Sequence, residues 1–164
     1  MNHLKIGQSS QATIHLKMAT QNDLFEVKYF LKRHKQSSVQ SDDSVFIVRL
    51  NTPSSRAIIG VAKLKSLSQH TFWLHGLYIT PLHRKQGMAT QLLQFLTEQL
   101  AAIHSKYSSD VNQIFAFPLA HLERFYLQHH YQLIEPSHLP NELNLRYQNA
   151  QKQHKNWLCM ALKL

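Results

Sequence analysis

The sequence predicts an α/β fold, a mixed sheet with helices on both faces. Three observations predict it. Short apolar or alternating runs recur along the chain and mark about seven strands. Stretches with apolar residues at three- and four-residue steps mark amphipathic helices between some of them. The order is a strand, a helix, three strands, a helix, a strand, a helix and two strands. The early strands can therefore pair antiparallel, and the later ones, separated by helices, can pair in parallel.

Each element has a local reason. Residues 12–18 put Ile14, Leu16 and Met18 on one side of a strand. Thr20-Gln21-Asn22-Asp23 resembles a capping box, so a helix should begin there, with Leu24, Val27, Phe30 and Leu31 as its apolar stripe. Residues 36–44 are polar and serine-rich, hence a loop. Residues 45–50 and 57–67 are strands joined by the turn chemistry of Asn51-Thr52-Pro53-Ser54-Ser55, which predicts a hairpin. The strand over 70–80 is interrupted by Gly76, and a glycine there marks a bulge or a close ligand approach. Residues 87–104 carry Ala89, Leu92, Leu93, Leu96, Leu100 and Ile103 on a helix face. A strand over 113–117 and a helix over 119–129, with Leu119, Leu122 and Tyr126 on one side, follow. Residues 131–134 form a strand, 136–140 a connector, 142–153 a weakly patterned helix, and 157–164 a last strand.

Composition bounds the function classes. A chain of 164 residues with 43% apolar content suits one domain over 1–164, with polar residues 1–11 as a flexible N-terminal segment. No apolar run reaches the roughly 18 residues that span a bilayer, so no membrane partner is expected. The lone cysteine, Cys159, leaves no disulfide framework and suits a reducing compartment, so a cytoplasmic location is expected. A net charge of +9 favours anionic partners, although a generally basic solvated surface accounts for it equally well. The cations are spread out with no run of five, so a nucleic-acid tail is not indicated. The twelve histidines form no metal-ligand spacing, and no metal is expected.

The segment richest in chemistry is 77–90. An apolar strand, Leu77-Tyr78-Ile79, leads through Thr80-Pro81-Leu82-His83 into Arg84-Lys85-Gln86-Gly87-Met88-Ala89-Thr90 and a long helix. Free N–H groups at a helix start carry partial positive charge, Arg84 and Lys85 add full charges, and Gly87 removes a Cβ from the approach. The bland alternative is an ordinary helix start beside a solvated Arg-Lys pair.

The chain resembles the GNAT superfamily of acyl-CoA-dependent N-acetyltransferases. Arg84-Lys85-Gln86-Gly87-Met88-Ala89 is similar to the family's (Gln/Arg)-x-x-Gly-x-(Gly/Ala) pattern, and Phe125-Tyr126 sits in a segment like its Phe-Tyr-x-x-x-Gly-Phe element. The opening 16–24 resembles the family's first strand-to-helix junction. The resemblance implies a GNAT-like, mostly antiparallel central sheet of about seven strands, with acetyl-CoA lying against a splayed parallel pair. Its pyrophosphate would sit on the N–H groups of Arg84, Lys85, Gln86, Gly87, Met88, Ala89 and Thr90, and the backbone of Leu77, Tyr78 and Ile79 would pair with the pantetheine amides. Two positions depart from the pattern: the family glycine is His130, where φ is often positive, and a frequent asparagine is Leu119.

The resemblance makes Tyr126 the candidate general acid, donating to the departing CoA thiolate. The alternative is a helix-face tyrosine whose hydroxyl is satisfied by backbone. An amine acceptor of pKa about 10.4 must lose a proton, at a cost of roughly 4–5 kcal/mol at pH 7. His75, just before the bulge, is the side-chain base candidate, although the residues themselves favour a strand histidine with no role. A backbone N–H near Leu77 or Tyr78 would hold the oxyanion. Cys159 reads as a small buried residue, so direct transfer in a ternary complex is expected over an acyl-cysteine route. The acceptor is expected to be a small-molecule, amino-acid or peptide amine. Two alternatives stay open: a toxin-like transferase acting on RNA-linked aminoacyl groups, which makes nucleic acid a less favoured partner, and a CoA-binding module without turnover. The terminal strand could join a neighbour's sheet edge and so form a homodimer.

Overall fold

The computed structural model describes residues 11–104 and 112–164. The expected N-terminal segment, 1–11, lies outside the described residues except for Gln11. The elements are β1 (Thr13–Met18), α1 (Leu24–Arg33), β2 (Asp43–Thr52), β3 (Ser55–Ser68), β4 (Thr71–Leu74), β5 (Tyr78–Ile79), α2 (Met88–His104), β6 (Gln113–Ala116), α3 (Glu123–Gln128), β7 (Gln132–Leu133), α4 (Asn141–Lys152) and β8 (Met160–Lys163). They form one mixed, mostly antiparallel sheet in the order β1-β2-β3-β4-β6-β8-β7, with β5 also paired to β3.

Strand alternation sorts the side chains onto two faces. Phe46, Val48, Leu64, Phe72, Leu74, Ile114, Ala116, Met160 and Leu162 bury one face against Leu92, Leu93, Leu96 and Leu100 of α2 and Tyr126 of α3. On the other face, Val45, Ile47, Ile58 and Val61 meet Val27, Phe30 and Leu31 of α1. Trp73, Phe115, Cys159 and Ala161 of that same face meet Leu143 of α4. Helices thus cover both faces. The α1 start follows the capping-box reading, since the Asp23 carboxylate accepts the Thr20 N–H at 2.8 Å. Lys17 and Arg49 also engage that carboxylate, and the hydrogen bond from Lys17 is the main reason its pKa is drawn down to about 2.

Among the described residues the sheet has eight strands rather than about seven because the run 70–80 divides. Leu74 pairs with Leu64 and Tyr78 with Val61, so His75, Gly76 and Leu77 stand opposite only Ala62 and Lys63. This is a bulge, and Gly76 sits in it at φ +87°. A Cβ on Gly76 would come within 2.6 Å of Lys63 Cε, so both conformation and space demand glycine there.

The parallel contact is confined to β4 with β6, from Thr71 opposite Gln113 to Leu74 opposite Ala116. Beyond it the two strands part. The bulge hands β5 to β3, whereas Pro118, which has no N–H for a ladder, turns the other chain toward the last strand. There Leu119 bridges Trp157, and Pro118 C=O accepts from Leu158 N–H at 2.8 Å.

The terminal strand is an inner one, paired with β6 on one side and with β7 over Met160–Ala161 on the other. The expected route to a homodimer, through a free edge on that strand, is corrected accordingly: the outer strands are β1 and β7.

Candidate active site

The gap between the parting strands is a cleft of about 320 Å³. His75, Gly76 and Leu77 line one wall, and Phe117, Pro118 and Leu119 the other. Tyr126 and Ser37 also reach the cleft, from α3 and from the loop after α1.

The register fixes what β5 offers. Thr80 N–H donates to Ile59 C=O at 2.9 Å. Alternation in an antiparallel ladder then turns the N–H and C=O of Tyr78 toward β3, and those of Leu77 and Ile79 away from it. Of the three residues expected to face pantetheine, Leu77 and Ile79 present backbone to the open side and Tyr78 does not. Leu77 N–H is thus the oxyanion donor candidate. The Tyr78 ring packs between Phe30 and His34, with its hydroxyl 3.3 Å from His34 Nδ1.

The loop beyond β5 has the geometry of an anion nest. A 3-10 turn over Pro81–His83 leads to Lys85 at φ +58° and Gly87 at φ +78°. Gly87 C=O accepts from Gln91 N–H at 3.0 Å and so opens α2. The N–H groups of Lys85, Gln86, Gly87, Met88, Ala89 and Thr90 have no acceptor among the described residues. Arg84 differs: its N–H donates to Pro81 C=O at 3.3 Å, its Nε to Ile79 C=O at 2.9 Å, and its guanidinium lies over the Tyr78 ring. The Gln86 side chain folds back to Leu82 C=O at 3.0 Å. Thr90 Oγ1 lies 3.2 Å from His129 Nε2, linking this loop to the end of α3.

Tyr126 is 6% exposed and meets Phe125 and Tyr131 edge-on. Its hydroxyl has no hydrogen-bond partner among the described residues, and it is not sealed from the cleft as the Tyr131 hydroxyl is. Burial pushes its pKa up to about 12, which keeps the phenol protonated.

His75 is not solitary. Its Nε2 lies 2.7 Å from Asp43 Oδ1, and its ring stacks on Trp73 at 4.5 Å. Burial lowers its pKa against the opposing pull of Asp43. Beside it, the fully buried Lys63 donates to Ser37 C=O and Ser37 Oγ, each at 2.7 Å, and to Ser38 C=O at 3.2 Å. This ammonium pins the loop of residues 34–42 over the cleft. Sequence reasoning missed both Asp43 and Lys63, and a lysine amid an apolar strand run, opposite a bulge glycine, was the available signal. Cys159 is buried with its thiol pushed up to about 11, which makes it a poor nucleophile.

Helix α3 ends in a Schellman motif, with Tyr131 N–H donating to Tyr126 C=O at 3.1 Å and His130 N–H to Leu127 C=O at 3.0 Å. His130, the departure from the family glycine, adopts φ +65°. Replacing it with glycine should relieve about 1 kcal/mol of strain, raising Tm by roughly 2–4 °C. A thermal melt of His130→Gly showing an equal or lower Tm would contradict this account.

Residues 41–133 match a family described as the acetyltransferase (GNAT) domain. The chain belongs to the GNAT acetyltransferase family. Its fold is similar to N-acetylglutamate synthase from Neisseria gonorrhoeae, solved with coenzyme A and N-acetyl-glutamate, at TM-score 0.66 and 15% identity. That match covers 94% of this chain and 36% of the synthase chain, so the GNAT chain spans about a third of that relative. It is also similar to Rv2747 from Mycobacterium tuberculosis, solved with CoA, at TM-score 0.67 and 12% identity over 92% of this chain and 99% of that one. A third likeness is to the ribosomal-protein-S18-alanine N-acetyltransferase of Escherichia coli, at 0.61 and 13% over 92% and 94%. At these identities the likenesses speak for the fold. No curated protein matches the chain by sequence. Among the described residues, no helix is long and apolar enough to cross a membrane.

Proposed function

We propose that this GNAT protein moves the acetyl group of acetyl-CoA to the primary amine of a small molecule, an amino acid or a peptide by direct attack in a ternary complex. The observation that carries the reading is the cleft between the parted strands. It joins a phenol with no hydrogen-bond partner among the described residues to the backbone of Leu77, and Leu77 leads through β5 into a loop of unpaired N–H groups.

In this reading the pyrophosphate lies on the N–H groups of Lys85, Gln86, Gly87, Met88, Ala89 and Thr90, with Lys85 and the terminal nitrogens of Arg84 adding charge. Pantetheine pairs with Leu77 and Ile79. The amine gives up a proton to His75 and attacks the thioester carbon, Leu77 N–H holds the oxyanion, and the C–S bond breaks as Tyr126 donates to sulfur. The acetyltransferase domain is taken to span the whole chain, and a reducing compartment such as the cytoplasm suits its buried thiol. Coenzyme A crystallised with N-acetylglutamate synthase and with Rv2747 supports the cofactor assignment.

The test is free-thiol release from acetyl-CoA across amino acids, amines, peptides and charged transfer RNA. Release with at least one amine or peptide is expected. Acetyl-CoA binding without release across the panel would replace this reading with that of a binding module. Release confined to charged transfer RNA, falling steeply with salt, would replace it with the RNA-linked reading.

A further inference from the structure

A charge buried at the head of β2 has no role in the chemistry described so far. The Asp43 side chain is wholly shielded from solvent, and both of its oxygens are occupied. Oδ1 lies 2.7 Å from His75 Nε2, and Oδ2 accepts the Gln40 N–H at 2.8 Å. Trp73 fixes the plane of the same imidazole, with the two rings 20° from parallel.

We infer that Asp43 is a positioning residue, holding His75 as the Nε2–H tautomer so that the Nδ1 lone pair is the base for the acceptor amine. The inference rests on the acetyl-transfer reading above. An ionised carboxylate can only accept hydrogen bonds, so the shared proton belongs to Nε2. Nδ1 has no partner among the described residues and must then be the acceptor nitrogen. Three charged groups act on this ring: Asp43 from β2, Lys63 from β3 and Arg146 from α4. Burial, with a smaller push from the two cations, keeps the resting imidazole neutral, as a base must be. The carboxylate opposes them and stabilises the imidazolium once the proton arrives.

The proton balance is simple. The acceptor's N–H bond breaks, its proton passes to Nδ1, and the pair left on nitrogen forms the bond to the acetyl carbon. The C–S pair leaves on sulfur and takes the Tyr126 proton, the second proton shed by the acetylated nitrogen restores the phenol, and the imidazolium releases its proton to solvent. The arrangement has a structural cost that argues against mere filler. Buried polar groups destabilise a core unless fully paired, and Asp43, Lys63 and His75 occupy the seam between the α1 and α4 clusters, where apolar residues would pack.

Turnover of Asp43→Asn and His75→Gln should be measured against pH alongside the unchanged chain, together with 15N spectra of the full chain in which the His75 signals are identified by their absence from His75→Gln. Asp43→Asn should lower kcat about 10²-fold and still be stabilised thermally by acetyl-CoA. Its acidic limb should move to lower pH, because the carboxylate that favours the imidazolium is gone. A residue that only packs would lower activity without moving the limb. The unchanged chain should show the Nε2-protonated tautomer, a measurement that stands even if Asp43→Asn fails to fold. Parental kcat and limb in Asp43→Asn, or an Nδ1-protonated ring in the unchanged chain, would overturn the inference. If His75→Gln also turns over at the parental rate, the base assignment itself fails. If His75→Gln is slow while Asp43→Asn is not, only the role of Asp43 fails.

Discussion

Gly87→Glu is expected to abolish acetyl-CoA binding while leaving the protein folded. A Cβ at Gly87 would meet nothing closer than Gln91 Nε2 at 4.0 Å, so the folded chain has room for a side chain. The intrinsic cost is the φ of +78°, about 1–2 kcal/mol for an L residue, which a domain of ordinary stability survives. The functional cost is much larger. The new carboxylate would sit within reach of the unpaired N–H groups that otherwise meet the pyrophosphate, and it would also repel that anion. Two unit charges 4 Å apart near a protein surface interact by about 4 kcal/mol, close to a thousandfold in affinity. Saturating acetyl-CoA should therefore raise the Tm of the parent chain and leave that of Gly87→Glu unmoved. Gly87→Ala carries the backbone strain without the charge, so it should lose similar stability in the free form yet retain part of the acetyl-CoA shift. An undiminished shift in Gly87→Glu would remove the pyrophosphate from this loop.

That loop was legible because its information is local. Six consecutive positions determine the turn, the glycine and the helix start, and the flanking apolar runs declare themselves by period. What the local pattern could not give is where each charge is spent. Arg84 reads as a free cation, yet its Nε is committed to Ile79 C=O and its face to Tyr78. Gly76 announces an interruption, but nothing near it in the chain reveals that Lys63 lies across the sheet, its side chain filling the space a Cβ would need. Helix α4 is weakly patterned because it buries only Leu143 and Ala150, and much of its remaining surface faces solvent. The terminal strand looked like an edge because nothing in residues 157–164 reveals that β7 comes back to cover it.

The Asp43, Lys63 and His75 cluster was the least legible part of the site. Its members come from β2, from β3 and from the bulge between β4 and β5, and meet only once the hairpin and the bulge have formed. In sequence, Asp43 lies within a polar loop and Lys63 among apolar neighbours, with no spacing that joins them. The same pattern recurs on the other side of the cleft. The phenol of Tyr126 was identified by resemblance, while its place in one cleft with Leu77 and Pro118 is visible only in the folded chain. Residues that define the cofactor loop are neighbours in the chain, and residues that define the reacting centre are neighbours only in space.

Tyr126→Phe is expected to lower kcat about 10²-fold with little change in acetyl-CoA affinity. The hydroxyl bonds to no group among the described residues, so its removal breaks no hydrogen bond of the fold, and Tm should shift little. At first sight a phenol at about 12 is a poor donor to a thiolate whose conjugate acid lies near 8.5 in water. The cleft changes that comparison. Burial that pushes the Cys159 thiol up to about 11 would act in the same direction on a CoA thiolate forming between the strands, bringing donor and acceptor close in proton affinity. Because the phenol stays protonated well above neutral pH, no limb from Tyr126 should appear in the pH profile below about pH 11. The decisive comparison uses acetyl thioesters of graded leaving-group acidity. A thiol that leaves readily as its anion has little need of a donor, so the deficit of Tyr126→Phe should shrink as the thiol becomes more acidic. A deficit constant across that series would assign Tyr126 to packing, and parental turnover in the variant would remove it from the chemistry altogether.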